Sequence, residues 1–206
     1  MNIVVKKREE TGVSYKQIVD LMHEAFEERI QQGLNFSCSF ITEEEFKRKT
    51  KNAVILVAID EDAEEFVGFA VITVVTRRFM GTYAFVQDLS VSPKVKRCGI
   101  GTKLENACVS VAIKMKCKYM RCTTAVGAES SVKYHLKQGY KIIGLDSFPT
   151  TNYYSYVFRM CLAPSIWRSD LFCKIAYMLS YIKTHMTKKE NGSLTRFGSI
   201  LKVCHL

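Results

Sequence analysis

The segment Val86-Gln-Asp-Leu-Ser-Val-Ser-Pro-Lys-Val-Lys-Arg-Cys-Gly-Ile-Gly-Thr-Lys-Leu104 constrains this chain more than any other. An alternating apolar strand runs into Pro93, then a basic stretch, then Gly99-Ile-Gly101 and a helix that begins near Thr102. That order makes a backbone cradle for an anion. Glycines lack Cβ, so successive N–H groups can turn inward and approach a phosphate. The helix that follows aims its unsatisfied N–H groups and its positive dipole end at the same place. Lys96 and Arg97 add charge beside it, and an extended ligand could lie along the strand with its phosphates in the turn.

Two common nucleotide readings of such glycines fail. The dinucleotide fingerprint needs a third glycine and an acid about twenty positions on; here Lys103 and Leu104 follow, and the next strand carries Arg121 and Cys122. The nucleotide P-loop fails because no Gly-Lys-Ser/Thr closes the segment. A second motif, Val132-Lys-Tyr-His-Leu-Lys-Gln-Gly-Tyr140, stands about forty residues downstream. Asp88 to Pro93, Lys96 to Gly101 and this late motif together resemble the GCN5-related N-acetyltransferases. That family's signatures are x-Leu-x-Val-x-Pro, then Gln/Arg-x-x-Gly-x-Gly/Ala, then Phe-Tyr-x-x-x-Gly-Phe. The resemblance covers roughly residues 1 to 162. The chain departs from the pattern at Lys96 (Gln or Arg in the family), Ala128 (often Asn) and His135 (most often Tyr).

The resemblance implies a mixed α/β sheet of about seven strands flanked by helices, with acetyl-CoA as co-substrate. The acetyl group passes directly, in a ternary complex, to a primary amine on a small molecule or a protein. Lys96, Arg97, Cys98, Gly99, Gly101 and Thr102 match the pyrophosphate loop, and the backbone of Leu89 and Val91 matches the strand that pairs with the pantetheine arm. Cys98 is a small loop residue in this reading, because the family transfers directly and needs no acyl-cysteine. His135 falls at the position of the acid that protonates the leaving thiolate, a base of pKa ~8.5; Tyr134 takes that role if the helix register shifts. Asp88 acts on an ammonium through water or binds the cation. The loop Gly33 to Phe36 lines the acceptor pocket. The alternative is an acyl-CoA-binding protein on the same fold with weak or lost catalysis.

Composition narrows the class. Hydrophobic residues make up 48% and charged residues 24% of 206 positions, the balance of a globular chain without a disorder signature. The eight cysteines form no C-x-x-C pair, and most sit in apolar stretches as small hydrophobes. This usage, with no secretory leader, points to a cytoplasmic setting. No apolar run is long enough to cross a bilayer. Histidines 23, 135, 185 and 205 show no metal spacing, so no metal is expected. The net charge of +10 is spread along the chain and lacks the aromatic interleaving of a nucleic-acid groove. No nucleic-acid partner is expected.

The periodicity predicts a strand at 2–8 and a helix capped by Ser14 and stopped by Gly33. Ile18, Leu21, Met22, Ala25, Phe26 and Ile30 form its apolar face. Thr42 and Glu45 make a capping box for a short helix. Strands follow at 53–59, 66–76 and 83–91, then a helix from Gly101 to about Cys117, a strand at 119–126, a helix at 129–138, and strands at 140–145 and 153–162. Residues 163–206 read as a basic amphipathic extension. Its stripe of Leu171, Phe172, Ile175, Met178, Leu179 and Ile182 is expected to dock on the domain or on a twin subunit in a homodimer. Contact with a membrane surface is the less favoured alternative.

Overall fold

The computed structural model describes residues 1–77, 81–149, 151–162, 174–175 and 177–179. Seven strands form one sheet in the order β1-β2-β3-β4-β5-β7-β6. They are β1 (Ile3–Lys7), β2 (Val54–Asp60), β3 (Glu65–Arg77), β4 (Gly81–Val91), β5 (Tyr119–Ala125), β6 (Lys141–Ser147) and β7 (Tyr154–Cys161). All neighbours run antiparallel except β4 and β5. The sheet is flanked by helices α1 (Tyr15–Gln31), α2 (Glu43–Lys49), α3 (Ile100–Lys114) and α4 (Glu129–Lys137).

Local chemistry sets the ends of these elements. The Ser14 hydroxyl accepts from the Gln17 N–H while the Gln17 side chain accepts from the Ser14 N–H, a complete capping box. Thr42 and Glu45 repeat it on α2. Gly33 closes α1 at φ +77°, a conformation that costs little without a Cβ.

Two apolar cores lie on opposite faces of the sheet. Leu56, Ala70, Ala84 and Val86 pack with Leu104, Cys108 and Ala112 of α3 on one face. Val57, Phe69 and Val71 pack with Ile18, Met22 and Phe46 of α1 and α2 on the other. One predicted core position is corrected. Ile30 is 39% exposed, because it sits where its helix is ending and has run past the sheet. The strand alternation in β4 is also interrupted. Val86 opposes Ile72 and Asp88 opposes Val71, which leaves Gln87 as an extra residue, a β-bulge. After it, Leu89 and Val91 face the α3 core, as Ala84 and Val86 do before it. Unbroken alternation would have put the two pairs on opposite faces.

The second face of β5, β7 and β6 holds Tyr119, Ile143 and Val157, which cluster with Tyr83 of β4, and Tyr177 is buried against them. Tyr177 donates to the Leu145 carbonyl at 3.0 Å. A Cβ on Gly144 would come within 2.6 Å of the Tyr177 ring, so the glycine makes the notch that the ring fills. Of the expected docking stripe, Ile175 and Leu179 are 43% and 44% exposed, and Tyr177 between them is buried. Leu171, Phe172 and Ile182, with the rest of the extension, lie outside the described residues.

Candidate active site

The anion cradle forms from backbone. Arg97 and Gly99 both adopt left-handed conformations, φ +68° and +78°, so the chain doubles back between β4 and α3. Gly99 is the N-cap of α3 and has no side chain to cap it. Its carbonyl accepts from the Lys103 N–H at 3.1 Å. The N–H groups of Ile100, Gly101 and Thr102 have no acceptor among the described residues, as expected of a first helical turn. The left-handed Arg97 was not foreseen; no residue-type signal marks it, since arginine has no preference for that region.

Gly101 has an ordinary φ and serves another purpose. A Cβ there would sit 3.5 Å from the Tyr134 hydroxyl oxygen, so α4 lies directly beside the first turn of α3. Gln138 Nε2 donates to Thr102 Oγ1 at 3.0 Å and fastens the two helices. The Thr102 oxygen therefore accepts a bond that holds α4, while its O–H and its backbone N–H both remain donors. Lys96 Nζ donates to Glu28 Oε2 at 3.1 Å on the surface, and Arg97 is exposed without a partner among the described residues. Cys98 is exposed, its thiol against the Lys96 carbonyl at 3.7 Å.

The cradle continues into a free strand edge. β4 and β5 pair only at Ala84–Met120 and Phe85–Arg121. Past the bulge, the β4 residues up to Val91 have no strand partner on that side among the described residues, although β5 runs on to Ala125 and pairs with β7 along its length. A gap opens between two parallel strands, and its floor is backbone that can accept another extended chain.

Tyr134 and His135, adjacent on α4, occupy different environments. His135 is 9% exposed, with its ring against Tyr140 and Phe158 and its Nδ1 3.6 Å from the Cys122 sulfur. Burial holds its pKa at about 4, so the imidazole is neutral near pH 7. Tyr134 lies beside Gly101, and its buried hydroxyl lacks a hydrogen bond of good geometry. Burial, reinforced by the Glu105 carboxylate, pushes this phenol well up, so it keeps its proton at all physiological pH. Glu105 was not singled out from sequence. It is 2% exposed and accepts from the Tyr140 hydroxyl at 2.5 Å, and burial raises its pKa.

The other half of the site is assembled from side chains. Asp88, buried on the α1 and α2 side of β4, pairs with Lys49 Nζ at 3.2 Å. The Cys38 thiol is pushed up to about 12, mainly by burial and secondly by the Asp88 charge, so it stays neutral. The loop Gly33 to Phe36 is stapled from two directions. Asn152, in the β6–β7 loop, donates to the Gly33 carbonyl at 2.8 Å and accepts from the Asn35 N–H at 2.9 Å. The Phe36 ring lies between Phe26 and Tyr153, at 5.1 and 4.8 Å. Arg29 Nη2 donates to Ser130 and Ser131 at the start of α4, at 2.7 and 3.2 Å. Neither Asn152 nor Lys49 was singled out from sequence, because both are remote from Asp88 and from the loop they hold.

A separate cleft of about 450 Å³ runs between α1 and the β2–β3 turn. Its walls carry Asp20, Glu24, Glu64 and Glu65, which would repel phosphate. No group of metal-ligating side chains occurs among the described residues.

The profile of the acetyltransferase (GNAT) family matches residues 15–140. No curated protein matches the chain in sequence. Among solved structures, the NatC complex bound to Gag peptide and CoA is similar at 15% identity and TM-score 0.63, over 79% of this chain and all of that one. PH1933 from Pyrococcus horikoshii OT3 is similar at 17% identity and TM-score 0.62, over 78% and 98%. A GNAT family acetyltransferase from Elizabethkingia anophelis with acetyl-CoA bound gives 16% and 0.57, again over 78% and 98%. At these identities the likeness is one of fold. The family match spans more than half of the chain and includes both the β4–α3 cradle and α4, and on that ground the chain belongs to the GNAT acetyltransferase family.

Proposed function

We propose that this protein transfers the acetyl group of acetyl-CoA to a primary amine by direct attack in a ternary complex. The observation that carries the reading is the continuity of free β4 edge, double left-handed turn and open N–H groups at the start of α3. An extended arm and a pyrophosphate fit that sequence of backbone donors and acceptors, one after the other. The CoA and acetyl-CoA named with similar structures support the same ligand.

Each residue then has a task. Ile100, Gly101 and Thr102 offer N–H groups to the phosphates, and Arg97 supplies a mobile positive charge. Backbone N–H groups of β4 near Leu89 and Val91 align the arm and stabilise the oxyanion that develops as the amine attacks, a preorganised donor effect. Asp88 draws the acceptor's ammonium toward that strand. Tyr134 is the better placed of the two acid candidates. Its proton is retained, its hydroxyl has no competing acceptor, and it lies against the cradle. His135, neutral and enclosed by Phe158 and Tyr140, holds the α4 register instead. Phe36, Tyr153 and the Asn152 staple hold the Gly33 to Phe36 loop that would line the acceptor pocket.

Two measurements test this. Calorimetric titration with acetyl-CoA should give saturable binding, and its absence at millimolar cofactor overturns the proposal. Release of free CoA across polyamines, amino sugars, amino acids and peptides should follow. Tight cofactor binding without release would favour the reading in which catalysis has been lost.

A further inference from the structure

Asp88 is buried to 7% side-chain exposure, and a carboxylate so placed needs a cation. The cation it has is Lys49 Nζ at 3.2 Å. Lys49 is the last residue of α2, which places its charge favourably at a helix C-terminus. Its own side chain is 40% exposed, so the ammonium reaches the carboxylate from a stem still free to move. Asp88 immediately precedes Leu89 on the strand whose free edge would carry the thioester arm. A primary ammonium on a flexible alkyl chain is the same chemical group as the acceptor assigned to this site. Lys49 therefore occupies the acceptor's place on Asp88.

We propose that Lys49 is a self-acylation site: with no free amine present, its Nζ takes the acyl group. The inference rests on the acetyl-CoA reading above. Asp88, directly or through water, takes a proton from the ammonium. The freed lone pair of Nζ forms the C–N bond to the acyl carbon, the C–S bond breaks, and the thiolate leaves with its electron pair and takes up a proton. The nitrogen loses a second proton as the amide forms, so acyl thioester and ammonium give amide, thiol and one proton to solvent. The product amide carries no charge and cannot pair with Asp88. Self-acylation thus empties the carboxylate for an incoming ammonium, after which an external amine meets no internal competitor.

The full chain is incubated with acetyl-CoA alone, and acetylation at each lysine is followed by peptide mass spectrometry. Lys133 and Lys16, whose side chains are 78% and 71% exposed, report uncatalysed modification. Held beside the thioester, Lys49 should acetylate at least about tenfold faster than either, at a rate independent of protein concentration. The preference should vanish in Gly99→Glu, which removes the cradle, and no other site should take its place in Lys49→Arg, which keeps the ion pair and the fold. Acetylation of Lys49 no faster than Lys133, in a protein that calorimetry shows to bind acetyl-CoA, overturns this proposal and leaves the cofactor reading intact. A rate that rises with protein concentration overturns it too, since the transfer is then between molecules. Absence of cofactor binding in the same titration overturns both.

Discussion

The two halves of the site are built from different materials. The cofactor half is backbone: a strand edge without a partner, two left-handed residues and the open start of a helix. The half proposed for the acceptor is side chains drawn from α1, α2, β4 and the β6–β7 loop, with Asp88–Lys49, the Asn152 staple and the Phe36 and Tyr153 rings. Backbone recognition asks little of residue identity except at glycine, so it survives wide sequence change. A side-chain pocket changes its ligand with each substitution. The difference explains how chains at 15–17% identity share this fold with this one while the acceptor must be found by experiment.

Substitutions in each half should therefore fail in different ways. Gly99→Glu should have the largest effect. It forces a side chain into φ +78° and sets a carboxylate where phosphates are expected, so acetyl-CoA binding should be lost in calorimetry while the far-UV spectrum is kept. Retained affinity would break the assignment of the cradle.

Tyr134→Phe should come next and should separate chemistry from binding. A positioned general acid contributes about 10²- to 10⁴-fold, so kcat should fall by that order with cofactor affinity nearly unchanged. Wild-type activity should show no loss of an acid near neutrality, because the phenol keeps its proton well above that range. A decline with a midpoint near pH 4, where the His135 ring loses its proton, would return the role to His135.

His135 gives a stability signature instead. Its folded pKa of about 4 lies below the ordinary 6.5, so the unfolded chain binds more protons between those values. Its contribution is complete above about pH 6.5 and is lost as pH falls toward 4, up to about 3 kcal/mol. Urea midpoints at pH 4.5 and 7.5 should differ in the wild type and differ much less in His135→Leu. Equal slopes would show that the ring is not shielded from water.

Asn152→Ala removes both staple hydrogen bonds, worth roughly 0.5–1.5 kcal/mol each. It should loosen the acceptor half alone, raising the acceptor KM several-fold with acetyl-CoA affinity unchanged. The smallest effect belongs to Lys96→Ala, which breaks an exposed pair with Glu28. The thermal midpoint should not move, and acetyl-CoA affinity should fall modestly and only at low salt. A large loss there would show that Lys96 turns from Glu28 to the phosphates.

Both halves were unequally legible. The cradle could be read because its signals are contiguous: a strand ending at Pro93, the Gly99 and Gly101 pair, and a helix after them. The boundaries of α1 and α2 were legible for the same reason, since Ser14 with Gln17 and Thr42 with Glu45 act across three residues. The staple was not, because Asn152 and Gly33 meet only when the β6–β7 hairpin folds over α1. Glu105 and Arg121 were equally opaque. Both are polar residues buried by neighbours from other elements, Glu105 accepting from Tyr140 and Arg121 with its guanidinium over the Tyr83 ring.

What the sequence by itself determined is the order and type of the elements and the glycine turn between β4 and α3, consequences of short-range periodicity, capping and glycine, while the seven-strand mixed sheet was implied by the family resemblance. Tertiary structure decided the rest. The bulge at Gln87 set which face Leu89 and Asp88 present. The core beneath α4 enclosed His135 and left the adjacent Tyr134 beside the cradle. The notch at Gly144 gave the Tyr177 ring its place against the sheet. In each case the deciding quantity was which surface remained after other elements had packed, and that is a property of distant residues meeting, not of any local pattern.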